Sequence, residues 1–552
     1  MYFFNLTSIL FRCFKRDISI FFRSGYDFFF NFIFLYKLKN NLNKIKPQIN
    51  DTDKHKKKIL VDCFPNSLLY VYALLLHTFP IQKKYNSDCL VYCSNFSFTI
   101  FYLLSVLKKH KIIYVESFLR NFLTIIKYFK ILKIEFYKIQ KIQKNHFDYK
   151  FEGIELGRLG YDNYLRKQKY GRLKNISLYK FHVFFSLVHY LNIKKIIKKD
   201  ILIYSGKEKQ FVPRSVIFQA CLKNSVKALL VWGPHDEFSI RKYSHYSQRY
   251  FARNHINKHD FLKRISEKSF EEGKKYIENK FYKKQTDKSN SVDEILAFNK
   301  NLIKLNKNDF LNKLNLDRSK KTAVIFSHCS FDGLLETPRI MFNDFYHWLD
   351  ETVSILLKNT KINVILKPHP REQQWGSLNL CEEIYKKRNL KDFKHIKLIG
   401  KEFHPSTLLE VADFSITARG TAGPEYAAFN VPCISVDYTP YNYCNFNYNF
   451  KNKNLYLKQL KDLPKLFVSD ESKNKFDAYH YLNLSFNEIK SKNPYFAGSD
   501  ISLPKNYSII EESKYLNKCI NLIKKSDFKE KDNFYNIYKN FLESNNYILF
   551  KK

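Results

Sequence analysis

The sequence predicts an α/β protein with two doubly wound Rossmann-type domains facing a central cleft, and additional helices at both ends. Three observations carry that expectation. Short apolar runs alternate with helical stretches in each half of the chain. At 552 residues, the chain is long enough for two or three separate cores. Two of only 14 glycines fall together in "ARGTAGPEYAAF", directly after one of those runs.

Residues 1–58 come first, as a basic, aromatic segment and a linker. Their longest charge-free apolar run, Phe28–Tyr36, is too short to span a bilayer. No secretory signal is evident. Arg12, Lys15, Arg16 and Arg23 interleave with phenylalanines. That suits either a helix on an anionic membrane surface or one packed on its own domain. A first Rossmann-like domain is expected over 59–256, where "KKILVDCF", "DCLVYC", "HKIIYVES", "KDILIYSG" and "VKALLVW" supply strands. A charged helical connection spans 257–320. A second Rossmann-like domain follows over 321–465, with strands "TAVIFSH", "KINVILKPHP", "HIKLIG", "DFSITARG" and "PCISVDY". Residues 466–552 read as a helical tail. Parallel sheets of this kind place binding loops at the C-terminal ends of their strands.

Composition narrows the function classes. Hydrophobic residues at 45% argue for a globular protein, while 94 Lys+Arg against 52 Asp+Glu leave a net charge of +42. That balance admits phosphate-rich partners such as nucleic acid, an anionic membrane or phosphorylated sugars. Abundant Lys, Asn, Ile, Phe and Tyr beside scarce Gly and Ala also fit an AT-rich genome, with much of the lysine a solvated surface. The basic residues are spread along the whole chain, which disfavours a nucleic-acid binder. The ten cysteines are scattered and complete no zinc spacing, so they read as reduced core thiols in a cytosolic protein.

The glycine share is well under the typical ~7%, so each glycine marks a conformational need. In "ARGTAGPEYAAF" a strand runs into a turn, and Pro424 stands where a first helical residue would be. Backbone N–H groups there, with Arg419 and Thr421, suit a phosphate. Glu425 either accepts from ribose or sugar hydroxyls or merely complements the helix dipole. "LKPHPRE" ends a strand in Lys367 and holds His369 between two prolines, beside Arg371. His369 is placed to donate to a phosphate oxygen or to assist a leaving group. "FSHCSFDGLLE" adds His328, Asp332 and Glu336. In the first half, "GIELGRLGYDNYLR" offers Asp162 on a glycine-rich loop, and "VWGPHDEFSIRKYS" offers His235 at a strand end. Asp332, His369, Asp162 and His235 are thus the catalytic candidates. Walker-type, HExxH and GxSxG motifs are absent, and so is an intact GxGxxG. A metal-independent mechanism with no cofactor beyond the donor substrate is expected.

Together these residues resemble the capsule and surface polysaccharide biosynthesis proteins, glycosyltransferases of the GT-B fold that include the capsule Kdo transferases. The resemblance covers about Thr322–Val436. It rests on "VIFSHCSFDG", "FNDFYHWLDETV", "INVILKPHP" and "LLEVADFSITARGTAGPEYAAFNVPCISV", in that order. It implies that Lys367, His369, Arg419, Gly420, Thr421, Gly423 and Glu425 hold the donor nucleotide. One departure is Pro424, where a medium apolar residue is expected. The implied activity is sugar transfer from a nucleotide sugar to a glycan or lipid-linked acceptor, in the cytoplasm or peripherally on the inner membrane. A nucleotide-sugar epimerase or a polyol-phosphate transferase on the same fold is the alternative.

Overall fold

A computed structural model describes residues 57–63, 68–93, 110–114, 118–143, 147–232, 237–252, 255–282, 301–332, 334, 341–372, 376–436, 438–450, 452–463, 471–488, 491–492 and 529–549, with shorter pieces between 7 and 43, at 297–298 and at 514–517. The chain divides into two compact units. The first comprises Met1–Asn163, Ile176–Arg249 and Ile489–Lys552, and the second Tyr164–Asn175 and Tyr250–Glu488.

The first unit is built on strands β1 (Lys58–Asp62), β2 (Cys89–Cys93), β3 (His110–Tyr114), β4 (Ile201–Gly206), β5 (Lys227–Trp232) and β6 (Glu237–Tyr243). β1 through β5 are parallel in the order β3-β2-β1-β4-β5, and β6 adds to β5 in the antiparallel sense. Their near-continuous apolar sequences fit strands covered on both faces. The helices are α1 (Leu68–Tyr85), α2 (Phe118–Lys127), α3 (Phe129–Gln140), α4 (Leu156–Gln168), α5 (Ile176–Asp200) and α6 (Arg214–Lys223).

Two sequence expectations change here. "GIELGRLGYDNYLR" forms a helix, α4, not a loop. Gly157 and Gly160 lie three apart on one face of it, where a Cβ would come within 2.4 Å of the Phe147 carbonyl or 2.8 Å of the Val183 backbone. These glycines permit close helix packing rather than a turn. The tail also behaves differently from an appended helical segment. Its β13 (Ser491–Lys492) pairs antiparallel with β6, and its helix α14 (Lys529–Glu543) packs on α1. Lys84 bonds Glu543 at 2.9 Å, and Lys242 donates to the Phe541 carbonyl at 2.7 Å.

The second unit repeats the architecture. β7 (Lys321–Phe326), β8 (Ile362–Lys367), β9 (Ile396–Leu398), β10 (Phe414–Thr417), β11 (Cys433–Ser435) and β12 (Asn447–Asn449) form an all-parallel sheet in the order β12-β11-β10-β7-β8-β9. Besides two short helices, Lys258–Lys263 and Lys307–Lys313, the unit carries α7 (Glu267–Tyr282), α8 (Phe345–Leu356), α9 (Leu380–Lys387), α10 (Pro405–Val411), α11 (Ala422–Ala427), α12 (Lys453–Lys461) and α13 (Glu471–Asn483). Asp344 starts α8 by accepting from the His347 N–H at 2.8 Å. From there Phe345, Trp348, Leu349, Val353 and Leu356 enter one core with Ile325, Val364, Leu366 and Ile416 of the sheet. Each such side chain contributes about 1.5–3 kcal/mol on full burial. The two doubly wound sheets expected from the sequence are therefore both present.

The connection before β7 belongs to this unit. α7 lies so close to α13 that a Cβ on Gly273 would sit 2.0 Å from the Tyr479 carbonyl oxygen. Asn483 donates to Ser269 at 3.1 Å across the same contact. The described cysteines, Cys63, Cys89, Cys93, Cys221, Cys329, Cys381, Cys433 and Cys444, are buried free thiols. Among the described residues, no helix is long and apolar enough to cross a membrane.

Candidate functional site

In the second unit the sheet order β9-β8-β7-β10-β11 reverses direction between β7 and β10. A crevice opens at such a switch point, beyond the strand C-termini, and ligands bind there. The register puts Thr417, Phe326 and Lys367 side by side on the last rung of β10, β7 and β8. The three loops singled out in the sequence consequently leave the sheet together.

Two histidines tie these loops, in opposite tautomers. The backbone N–H of Arg419 donates to His328 Nε2 at 3.3 Å, so that nitrogen carries no proton. Thr417 Oγ1 lies 3.3 Å from the same nitrogen and accepts from the Gly420 N–H at 3.0 Å. A Cβ on Gly420 would stand 2.9 Å from that hydroxyl and 3.4 Å from His328 Nε2, which explains the glycine. His328 stacks on Phe345, with ring centroids 4.7 Å apart. Burial, then Arg419 and His369, hold its pKa well below the usual range. His369 uses the other nitrogen: Nδ1 accepts from the Arg371 N–H at 3.2 Å and lies 3.2 Å from Cys329 Sγ. The proton is left on Nε2. Burial chiefly lowers its pKa to about 4, so at neutral pH His369 is an uncharged Nε2–H donor.

Cations surround this pair. Arg419 reaches the Asp332 carbonyl at 3.4 Å through Nη2 and lies 5.5 Å from the Phe345 ring, while its Nη1 is buried with no hydrogen-bond partner among the described residues. A buried unsatisfied donor of this kind costs about 1–3 kcal/mol. Lys367 donates to the Gly400 carbonyl at 3.0 Å, and burial lowers its pKa to about 8. The charge of Lys401 acts on both Lys367 and His369. Glu372, which ends the Pro-His-Pro motif, is 2% exposed. Its Oε1 has Ser327 at the long limit of 3.5 Å, and its Oε2 is unbonded among the described residues. Burial raises its pKa to about 8, so it is protonated at neutral pH and adds no negative charge.

The Arg-Gly-Thr turn is held from below. Tyr441 donates to the Gly420 carbonyl at 2.7 Å, and the Gly423 N–H donates to the same oxygen at 3.2 Å. A Cβ on Gly423 would meet the Tyr441 hydroxyl at 2.6 Å and Cys433 Sγ at 2.8 Å. Thr421 is the N-cap and is exposed. The helix begins at Ala422, not Pro424, and has only six residues, so its dipole is a smaller asset than the sequence suggested. Glu425 is 6% exposed and ion-paired with Lys280 of α7 at 3.0 Å. Its carboxylate is engaged there rather than presented to a sugar hydroxyl.

Of the remaining candidates, Asp332 meets this cluster through its backbone carbonyl, which accepts from Arg419. Asp162 lies inside α4 of the first unit, 1% exposed, because the segment is helical. His235, Gly333 and Glu336 lie outside the described residues. Asp332 follows β7, and its N–H donates to the Cys329 carbonyl at 3.1 Å. The first unit has its own polar cluster at the β1/β4 switch point. Tyr204 donates to Asp62 at 3.2 Å, Arg214 lies 3.4 Å from Asp62 and donates to Glu208 at 2.6 Å. Sequence reading passed over Glu372, Tyr441 and Lys280. Glu372 stood in a quoted motif, but no local pattern announces the other two.

No protein-family model matches the chain, and no curated protein matches it in sequence. Solved structures are similar at low identity. One is KpsC of Thermosulfurimonas dismutans, a beta Kdo 2,4 transferase, at 10% identity over 58% of this chain and 88% of that one, with TM-score 0.33. Another is Anabaena Alr3699/HepE in complex with UDP and glucose, at 8% identity over 78% and 95%, with TM-score 0.26. A third is the UDP-GlcNAc 2-epimerase of Methanocaldococcus jannaschii in complex with UDP-GlcNAc and UDP, at 13% identity over 76% and 97%, with TM-score 0.25.

Proposed function

We propose that this chain is a GT-B-type glycosyltransferase. It moves a sugar from a nucleotide-sugar donor to a growing capsule or surface polysaccharide, and the second unit holds the donor's diphosphate. The observation that carries this reading is Arg419. Its buried Nη1, unbonded among the described residues, lies at a switch point, in a loop hydrogen-bonded to its neighbour through His328. A diphosphate supplies the missing acceptor.

The chemistry follows from the charges. The bond between the anomeric carbon and the phosphate oxygen breaks, and an acceptor hydroxyl oxygen forms the new bond. Negative charge grows on the departing diphosphate. Arg419 and Lys367 offset that charge, and the uncharged His369 Nε2–H donates to it without first being protonated. The site thereby supplies from side chains the positive charge that a metal would otherwise bring, so chelation by EDTA leaves turnover unchanged. The acceptor proton passes to a base, for which Asp332 is the candidate in this unit. The variant Asp332→Asn tests it by a fall in kcat with donor binding intact.

Isothermal titration with a panel of nucleotides and nucleotide sugars tests the site. The expected result is binding that weakens at least about tenfold in Arg419→Ala and His369→Ala, the loss of a charge-assisted bond. No binding by any nucleotide, or unchanged binding in both variants, overturns the assignment. Product analysis with a radiolabelled donor tests the reaction. An epimerised free nucleotide sugar formed without acceptor replaces the transferase reading with an epimerase.

A further inference from the structure

Helix α2 buries polar side chains beside Ile125 and leaves large apolar ones open, and α3, which buries Leu132, Phe136 and Ile139, also leaves apolar side chains outside. In α2, Asn121 and Thr124 are buried. Asn121 accepts from Asn192 of α5 at 2.9 Å, and Thr124 also bonds the Asn192 side chain. The opposite face is apolar and open: Leu119 is 65% exposed, Leu123 55% and Ile126 58%. These three follow an i, i+4, i+7 spacing and so form a stripe. Tyr128 continues the helical hydrogen bonding between the two helices, donating to the Thr124 carbonyl and accepting from the Leu132 N–H. In α3, Ile134 and Tyr137 are more than half exposed on the outer side. Buried polar groups beside exposed large hydrophobes are the informative departure from ordinary burial.

Charge decides what covers this stripe. Residues 118–141 hold six cations, Arg120, Lys127, Lys130, Lys133, Lys138 and Lys141, against one acid, Glu135. Glu135 is 7% exposed and accepts from Lys138 and the Tyr149 hydroxyl, both at 2.7 Å. It therefore offers nothing outward. Lys127, Lys130, Lys133, Lys138 and Lys141 are all exposed beside the apolar stripe. Lys127 also sits against Lys195 of α5, whose side-chain contact and charge lower its proton affinity. Close cations of this kind favour an external anion.

We infer that the outer face of α2 and α3 docks on an anionic lipid bilayer. Leu119, Leu123, Ile126 and Ile134 enter the acyl boundary, and the lysines contact lipid phosphates. A second copy of the same surface would bring like charges together, which disfavours self-association. This surface is separate from the diphosphate site and stands whether or not that assignment does.

The test is co-sedimentation of the full chain with vesicles of phosphatidylcholine alone and of phosphatidylcholine mixed with phosphatidylglycerol. Binding is expected only to the second, and salt weakens it. The variant Leu123→Gln with Ile126→Gln is expected to lose at least about tenfold in vesicle affinity. Its melting temperature should stay within a few degrees of the parent's, because both side chains are already exposed. A parallel variant, Phe29→Gln with Ile33→Gln, probes the exposed N-terminal side chains. Equal binding to neutral vesicles, no binding, or an unaffected Leu123/Ile126 variant overturns the inference. It also fails if light scattering shows that this variant dissolves an oligomer, or if only the N-terminal variant loses binding.

Discussion

The backbone N–H of Arg419 donates to Nε2 of His328 across the switch point between β10 and β7. This single bond fixes a tautomer and joins two loops that are about ninety residues apart in sequence. His328→Ala should weaken nucleotide-sugar binding at least about tenfold by loosening the Arg-Gly-Thr turn. His328→Gln, whose carbonyl can accept the same N–H, should recover much of it. Titration calorimetry on both variants checks the difference. Equal losses would mean that the ring itself touches the ligand.

Nucleotide-sugar affinity should be flat between pH 7.5 and 5.5. His369 has its pKa lowered to about 4, so it donates as a neutral group throughout that range. An imidazolium donor would instead tighten binding as pH falls through its ordinary value of 6.5. Above pH 8 affinity should decline as Lys367, lowered to about 8, loses its charge and Glu372, raised to about 8, gains a negative one. The diphosphate diester of a nucleotide sugar does not titrate there, so the decline reports these two groups.

Glu372 predicts an alkaline weakness. Its folded pKa is about 8 against an ordinary 4.5, so the folded chain holds a proton that the unfolded chain has released. Stability on this account is full below 4.5 and is lost as pH rises through 8. A tenfold difference in proton affinity between the two states is worth about 1.4 kcal/mol, which sets the scale. Glu372→Gln should melt at nearly the same temperature at pH 6 and pH 9, whereas the parent falls. Thermal melts at the two values decide it. The buried histidines act at the other end: His77, His369 and His404 are lowered to about 3, 4 and 4, mainly by burial. Their neutral forms favour folding, so acidification from 6.5 towards 4 should destabilise the chain.

Lys280→Met should cost about 3–5 kcal/mol, because it leaves the Glu425 carboxylate buried without its partner. The double variant Lys280→Met with Glu425→Gln should return most of that loss. Denaturant unfolding followed by fluorescence measures both. A cost below about 1 kcal/mol, as for an exposed pair, would mean that solvent reaches Glu425.

The sheets were legible because buried parallel strands leave apolar runs that turn signals bound cleanly, as in "VILKPHP" and "FSITARG". The three strand-end loops were legible for the same reason. What escaped was whatever depends on packing. Gly157 and Gly160 read as a loop, since nothing local reveals the Phe147 and Val183 backbones against which they respectively pack. The pairing of β13 with β6 spans two residues and leaves no periodic trace. The tautomer of His369 is set by Arg371 and Cys329, the second of which is forty residues away. Lys280 becomes Glu425's partner only once α7 has docked.

The contact between Gly273 and Tyr479 acts at a distance through that last pair. α7 meets α13 backbone to backbone at Gly273, and its other end carries Lys280 to Glu425, the residue that follows the Gly-Pro step of the turn. The turn's seating is thus calibrated through the packing of two helices. Gly273→Ala would prise them apart by the width of a methyl group, and the first symptom should be a poorer grip on diphosphate in a chain that is still folded. Mutational damage here would mimic a binding-site lesion while lying wholly outside it.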